Sequence, residues 1–245
     1  MTGLEVWALC MVAMVAGSVT AAVSIAAGRA GLAASTRRQL TLAVAAGITA
    51  WLGLTALLAG LGLLESWGSA PPRVVLLPGV VLVVMITLNR RSTFGTLLAR
   101  IPNWWPVAAQ TARVGVELLL WGLLQQGRVP RQLTFEGRNL DVVIGLTAPV
   151  VAWLILRGRI GPRALLTWNA VGLASLVNVI VIASTSVPGP WRADWPGAPL
   201  TEIAHWPAVW IPAFLLPAAV FLHLASLRQT VPLLTRAALT PSRTS

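Results

Sequence analysis

The chain has 245 residues, 56% of them apolar and 10% charged, and a mean hydropathy of +0.78. A soluble domain carries about 25% charged residues, so a water-exposed globular fold is excluded; at roughly 20 apolar residues per span, there is room for about seven helices, short loops and no soluble domain. The net charge of +11 is all arginine, scattered through short loops as a membrane-orientation signal rather than a nucleic-acid surface, and the absence of lysine rules out a retinal Schiff base.

Seven apolar runs follow in chain order, at about 4–27, 40–64, 74–88, 107–124, 142–156, 164–184 and 203–227. They predict an all-α polytopic transmembrane bundle of about seven spans, a single membrane domain over 1–245. No run alternates polar and apolar residues as a barrel strand would. The first run starts with Glu5 instead of a basic segment, and bulky Leu9 precedes Cys10, so it is expected to stay attached rather than be cleaved. Cys10 is the sole cysteine, which excludes an intrachain disulfide and reads as a small buried hydrophobe. Ala13, Gly17 and Ala21 form a small-residue packing face, and the second run is rich in glycine (Gly47, Gly53, Gly60, Gly62). The short third and fifth runs borrow flanking residues and carry Pro78 and Pro149, which membrane helices tolerate. Trp104 and Trp105, between Pro102 and Pro106, read as an interfacial turn. They join Trp67, Trp191, Trp195 and Trp206 at span ends, where indole rings favour the headgroup region. No internal repeat of the transporter kind is visible.

Charge counting between the runs sets the orientation. Arg29, Arg37, Arg38, Arg90, Arg91, Arg100, Arg157, Arg159 and Arg163, with Arg228, Arg236 and Arg243 in the tail, share one side without an acid. The other side mixes Arg73, Arg128, Arg131, Arg138 and Arg192 with Glu5, Glu65, Glu136, Asp141, Asp194 and Glu202. The positive-inside rule puts the acid-free side, and the C-terminus, in the cytoplasm and the N-terminus outside. A multi-pass protein of a bacterial inner membrane is the expected setting.

Charges within a span are functional candidates by default. The fourth run holds Gln110, Arg113 and Glu117, whose offsets of three and seven share one helix face. Arg113 and Glu117 are spaced to pair directly, either as an internal salt bridge or as the lining of a cavity for a proton, an ion or an anionic headgroup. Asn169 and Asn178 lie nine apart, half a turn out of phase, and are expected each to hydrogen-bond a different neighbour.

The stretch from Gly127 to Asp141 carries Glu136, Arg138 and Asn139 and enters the fifth run at Asp141, a good helix N-cap. Glu202 and His205 have the spacing of half a carboxylate-bridged metal site. His223 lies eighteen residues further on, about 27 Å along a helix, too far to complete it or to clamp a haem, so no metal is expected. Pro207, Pro212 and Pro217 predict a kinked or unwound seventh helix with a pocket beside it.

Arg113–Asp141, with Arg-Val-Gly-Val-Glu-Leu and then Leu-Thr-Phe-Glu-Gly-Arg-Asn-Leu-Asp, resembles an uncharacterised family of small bacterial membrane proteins. Leu166–Asn178 and Pro212–Gln229 resemble it too, so the likeness covers the last three-fifths of the chain. The resemblance implies no activity; it singles out Arg113, Glu117, Glu136, Arg138, Asn139, Asp141, His223 and Arg228.

Three function classes are open. The foremost is a binding or transport protein for a small molecule, lipid or ion, with the polar face of the fourth helix, Asn178 and the two histidines as candidate contacts. The second is a membrane subunit or sensor acting through a protein partner. The third, an intramembrane enzyme, has against it the absence of Gly-x-Ser-x-Gly, His-Glu-x-x-His and a Cys–His pair. The bilayer is the one certain partner, nucleic acid is not one, and no cofactor can be named.

Overall fold

The computed structural model describes residues 1–69 and 71–239; Arg243 and the Arg236 side chain, both expected on the acid-free side, lie outside the described residues. The helices are α1 (Gly3–Arg29), α2 (Ala34–Gly60), α3 (Arg73–Arg90), α4 (Ser92–Leu98), α5 (Trp104–Ala109), α6 (Ala112–Gln125), α7 (Asp141–Leu156), α8 (Pro162–Ser186) and α9 (Leu216–Leu239), the last led by a π-helical turn over Ile211–Leu215. No strand occurs among the described residues. Six segments are long and apolar enough to cross a membrane: α1, α2, α3, α5 with α6, α8, and Ile211–Leu234. This is a multi-pass helical membrane protein. The seventh apolar helix, α7, has 16 residues, about 24 Å at 1.5 Å per residue, less than the roughly 30 Å of hydrocarbon.

Glu5 has a local role. Thr2 and Glu5 form a capping box, the Glu5 amide donating to Thr2 Oγ1 at 3.3 Å and the Thr2 amide to Glu5 Oε2 at 2.9 Å, so the acid starts α1. At the bundle centre are α6 and the π turn with α9; α1, α3, α7 and α8 pack around them. The α1 face of Ala13, Gly17 and Ala21 is exposed, and Gly47, Gly53 and Gly60 of α2 have open space beside them. These small-residue faces do not pack inside the chain. Cys10 is also exposed rather than buried. Close helix approach falls elsewhere, where an added Cβ at Gly145 of α7 would stand 2.9 Å from the Val114 amide nitrogen of α6.

Two predicted spans are interrupted. The fourth breaks at Gln110 and Thr111, between α5 and α6, and Trp104 and Trp105 begin α5 instead of forming a turn. The seventh is not α-helical over 203–209, where a 3-10 turn at Glu202–Ala204 leads into irregular backbone; its regular helix starts near the π turn and runs on to Leu239. Proline chemistry explains the difference. Pro217 lacks the amide that an α-helix would direct to the carbonyl of Ala213, and that carbonyl accepts instead from Trp51 Nε1 of α2 at 2.8 Å. Trp210 Nε1 returns a bond to Leu52 O at 3.0 Å. Tryptophan pins the outlying α2 to the broken segment, so these two indoles are packing donors within the bundle.

The charged groups separate between the ends of the bundle. At the acid-bearing end, Arg128 pairs with Glu202 at 2.6 Å and His205 lies 3.2 Å from Glu65. At the arginine-rich end, Arg29 and Arg228 donate to the carbonyls of Arg100 and Arg91, at 3.3 and 3.0 Å.

Candidate functional site

The site grows from one face of α6. Arg113, Glu117 and Trp121 recur every four residues, stacked a turn apart, and the segment after α6 descends along them. Gly127, at φ 69°, ends α6 with the reversal. Trp121 Nε1 then donates to Glu136 Oε1 at 2.7 Å, Asn139 Nδ2 to Glu117 Oε1 at 2.5 Å, and Arg113 forms an ion pair with Asp141. Arg113 is twelve residues from Gln125, about 18 Å down the helix. The segment is therefore folded into the bundle, and α7 starts deep inside it. This accounts for the shortness of α7.

Backbone buried this way needs internal partners, and the segment supplies them. Asn139 Nδ2 also donates to Leu133 O at 3.0 Å, Asn139 Oδ1 accepts the Asp141 amide at 2.9 Å, and Asn178 Nδ2 donates to Arg138 O at 2.8 Å. Gln132 Nε2 reaches Ser186 Oγ of α8 at 3.1 Å. Gln132, Thr134, Asn139 and Asp141 are all buried. Asp141 is thus not an N-cap: Leu140 holds that position without a side-chain bond, and the Asp141 carboxylate is committed to Arg113.

Arg113 joins four helices. Its Nε donates to Asp141 Oδ2 at 2.7 Å, its Nη2 to Ser175 Oγ of α8 at 2.7 Å, and its Nη1 to His223 Nε2 of α9 at 2.9 Å. The Ser175 hydroxyl in turn donates to Asp141 Oδ1 at 2.7 Å. A guanidinium has only donors, so His223 Nε2 accepts and the ring proton sits on Nδ1. That nitrogen donates to Asn169 Oδ1 at 2.9 Å. Asn169 Nδ2 continues to Ser226 Oγ at 3.0 Å, and Thr230 Oγ1 donates to Ser226 O at 2.7 Å. His223, Ser226 and Thr230 are buried along one face of α9. The spacing-based expectation that Arg113 pairs with Glu117 is overturned. The nearer, pre-aligned partner of Arg113 is Asp141, brought in by the infolded segment, and Glu117 bonds Asn139.

A cavity of about 40 Å³ opens among these helices, lined by Arg113, Glu117, Asp141, Ile211, Leu215 and Ala219 among others. It is water-sized and far too small for a lipid or an organic metabolite. Glu117 is 2% exposed, and its Oε2 has no hydrogen-bond partner in the protein. Gln110 is also buried; its Nε2 bonds Ala219 O at 3.0 Å and its Oε1 is unpartnered.

Gly172 of α8 makes the room for His223, because a Cβ there would overlap the imidazole. Gly172→Ala is expected to displace the ring from Arg113 and Asn169 and to destabilise the fold by about 1–3 kcal/mol. Adding His223→Ala should recover part of that loss, read as melting temperature in detergent.

The structure brings Gln110, Arg113, Glu117, Asn139, Asp141 and His223 to the bundle interior. Glu136, Arg138 and Asn178 belong to the infolded segment and its support, and Arg138 stacks over Trp195 at 5.1 Å. His205 stays at the acid-bearing end, its Nδ1 3.1 Å from Thr201 O, with Glu202 turned to Arg128. The suspected half of a metal site therefore does not converge, and no group of three or more His, Cys, Asp or Glu able to hold a metal occurs among the described residues. Ser175, Ser226, Gly172 and Gly137 escape sequence reasoning. The spacing of His223, Ser226 and Thr230 at i, i+3 and i+7 is the signal that could have exposed the α9 part of the network.

Fold and site together define a multi-pass membrane protein built around a buried charged network and a segment folded into the bundle from one end. Residues 71–231 match the family described as a domain of unknown function, DUF8737, and the chain belongs to that family. The match runs from the start of α3 into α9 and contains every member of the network; α1 and α2 lie outside it. No curated protein matches the chain, and no solved structure does.

Proposed function

We propose that the protein moves protons across the membrane, with Glu117 as the intramembrane group that takes up and releases them. The observation that carries this reading is the free Glu117 Oε2 against a water-sized cavity deep in the bundle. A carboxyl oxygen unpaired in such a place has a proton or a water as its natural partner. Asp141 already neutralises Arg113 on the same cavity, which leaves Glu117 as its one uncompensated carboxyl, and a proton bound covalently to that carboxylate neutralises it. The side-chain network from Asp141 and Arg113 through His223 and Asn169 to the Ser226 hydroxyl extends towards the arginine-rich end. In this reading the protein crosses a bacterial plasma membrane seven times, α7 and the infolded segment sharing one crossing. The positive-inside rule puts the N-terminus and the acid-bearing end outside.

Proton uptake by liposomes carrying the protein and an internal pH dye tests the proposal. Glu117→Gln keeps the oxygen that accepts from Asn139, so the fold is expected to persist while flux falls by about a hundredfold. Flux unchanged in Glu117→Gln, or wild-type flux no greater than that of empty liposomes, sinks the proposal. A C-terminal reporter found outside the cytoplasm overturns the orientation. The reading as a membrane subunit has one observation in its favour, the exposed small-residue faces of α1 and α2, and a stoichiometric partner chain retained on gentle purification supports it.

A further inference from the structure

The π turn and the non-helical stretch before it border two cavities, stacked along one face of α6. The second cavity, of about 10 Å³, is lined by Glu5, Ala8, Leu119, Leu123, Arg128, Glu202 and Ala208 among others, and lies at the acid-bearing end beside the Arg128–Glu202 pair. The first is the Glu117 cavity, which takes in Val116, Leu120 and Ile211. On α6, Val116, Leu119, Leu120 and Leu123 are related by steps of three and four, so they share a face and the cavities follow one line. Leu119, Leu120 and Ile211 all belong to one apolar cluster, with Ala8 across from them on α1. Leu119 and Leu120 are 2% and 3% exposed. Charged groups stand at the mouth, an apolar constriction follows, and the carboxyl lies beyond.

We infer that Leu119 and Leu120, closed against α1 and the broken seventh helix, form a hydrophobic gate controlling water access to Glu117 from the acid-bearing end. This deepens the proton-transport reading and rests on it. Apolar side chains packed this closely exclude a water file by dewetting, and a hydrated carboxyl needs that file to exchange protons. The neighbouring segment suits a gate: its backbone is already out of regular helix, held by short local bonds such as Val209 N to His205 O and Ile211 N to Ala208 O and by the indoles of Trp51 and Trp210. Side-chain movement at residue 120 or a small shift of Ile211 would join the cavities.

Silver ion, a water-sized cation that binds thiols, is the probe. The full chain with Cys10→Ser and Val116→Cys is reconstituted in sealed vesicles of known orientation, and free thiol is counted after denaturation. Ag⁺ added at the acid-bearing end is expected to block residue 116 slowly. Leu120→Ala should accelerate the reaction about tenfold, a barrier lowered by about 1.4 kcal/mol, and Leu120→Phe should slow it. Where Leu120→Ala does not survive extraction, Leu120→Val gives the same comparison with a smaller cut. A rate indifferent to residue 120, or faster from the arginine-rich end, overturns the gate. Flux lost in Glu117→Gln alongside such indifference removes the gate and leaves the proton reading standing. Control by residue 120 with flux unchanged in Glu117→Gln removes the proton reading and leaves the gate.

Discussion

Arg113→Ala is expected to destabilise the protein by about 3–5 kcal/mol, the effect of removing one member of a buried ion pair. Arg113 is 4% exposed and donates to Asp141, Ser175 and His223 at once, so its loss strands a carboxylate, a hydroxyl and an imidazole in an apolar interior. Lysine is no remedy, because one ammonium lacks the planar fork that reaches three helices in fixed directions. The loss should appear as a lower melting temperature in detergent. Replacing both charges, as Arg113→Met with Asp141→Leu, should recover much of it, since an apolar pair of similar volume leaves no buried charge unmatched. A double variant as unstable as the single one would show that the pair's contacts to Ser175 and His223, rather than its charge, hold the helices.

Gly137→Ala should be comparably damaging for a different reason. A Cβ on Gly137 would overlap the Arg131 carbonyl and stand 2.6 Å from Gln132 Cα. Both are backbone atoms in the same infolded segment, so no side-chain rotation relieves the clash. The segment would have to open, withdrawing Asn139 from Glu117 and Asp141 from Arg113. The expected outcome is a loss of at least about 2 kcal/mol, in the range of overpacking plus broken buried hydrogen bonds. It should come with new protease sensitivity between Arg128 and Arg138. Gly137→Ala as stable and protease-resistant as the wild type would mean that the segment is not held as described.

How much of this was legible in advance varies with the physical origin of each feature. Long apolar runs are a local property, and the bilayer admits few structures for them, so the all-α membrane fold, the interiority of Arg113, Glu117 and Asn169, and the break in the seventh helix could all be read from residue order. Proline marked that break because its missing amide acts on its own chain. The asparagine phases of α8 likewise led to two different neighbours, Ser226 and His223 for Asn169 and the Arg138 carbonyl for Asn178.

Partner choice was not legible. Spacing on one helix said that Arg113 could meet Glu117, but a contact between side chains twenty-eight residues apart depends on where the chain between them travels. The stretch between Gly127 and Asp141 read only as a polar connection into the fifth run, since nothing in a linear reading reveals that Asn139 and Asn178 satisfy its backbone and that Gln132 ties it to Ser186. Which small residues pack was also decided in three dimensions. Gly145 and Gly172 admit a neighbouring helix and a histidine, while Gly17, Gly47 and Gly53 face open space. The sequence by itself determined a membrane bundle and the polar residues it must shelter, because hydrophobic run length and backbone valence act locally. Only the tertiary structure decided that those residues join one network from Asp141 to Thr230 and leave one Glu117 oxygen free, because non-local hydrogen bonds and the small cavity between helices exist only after the helices have packed.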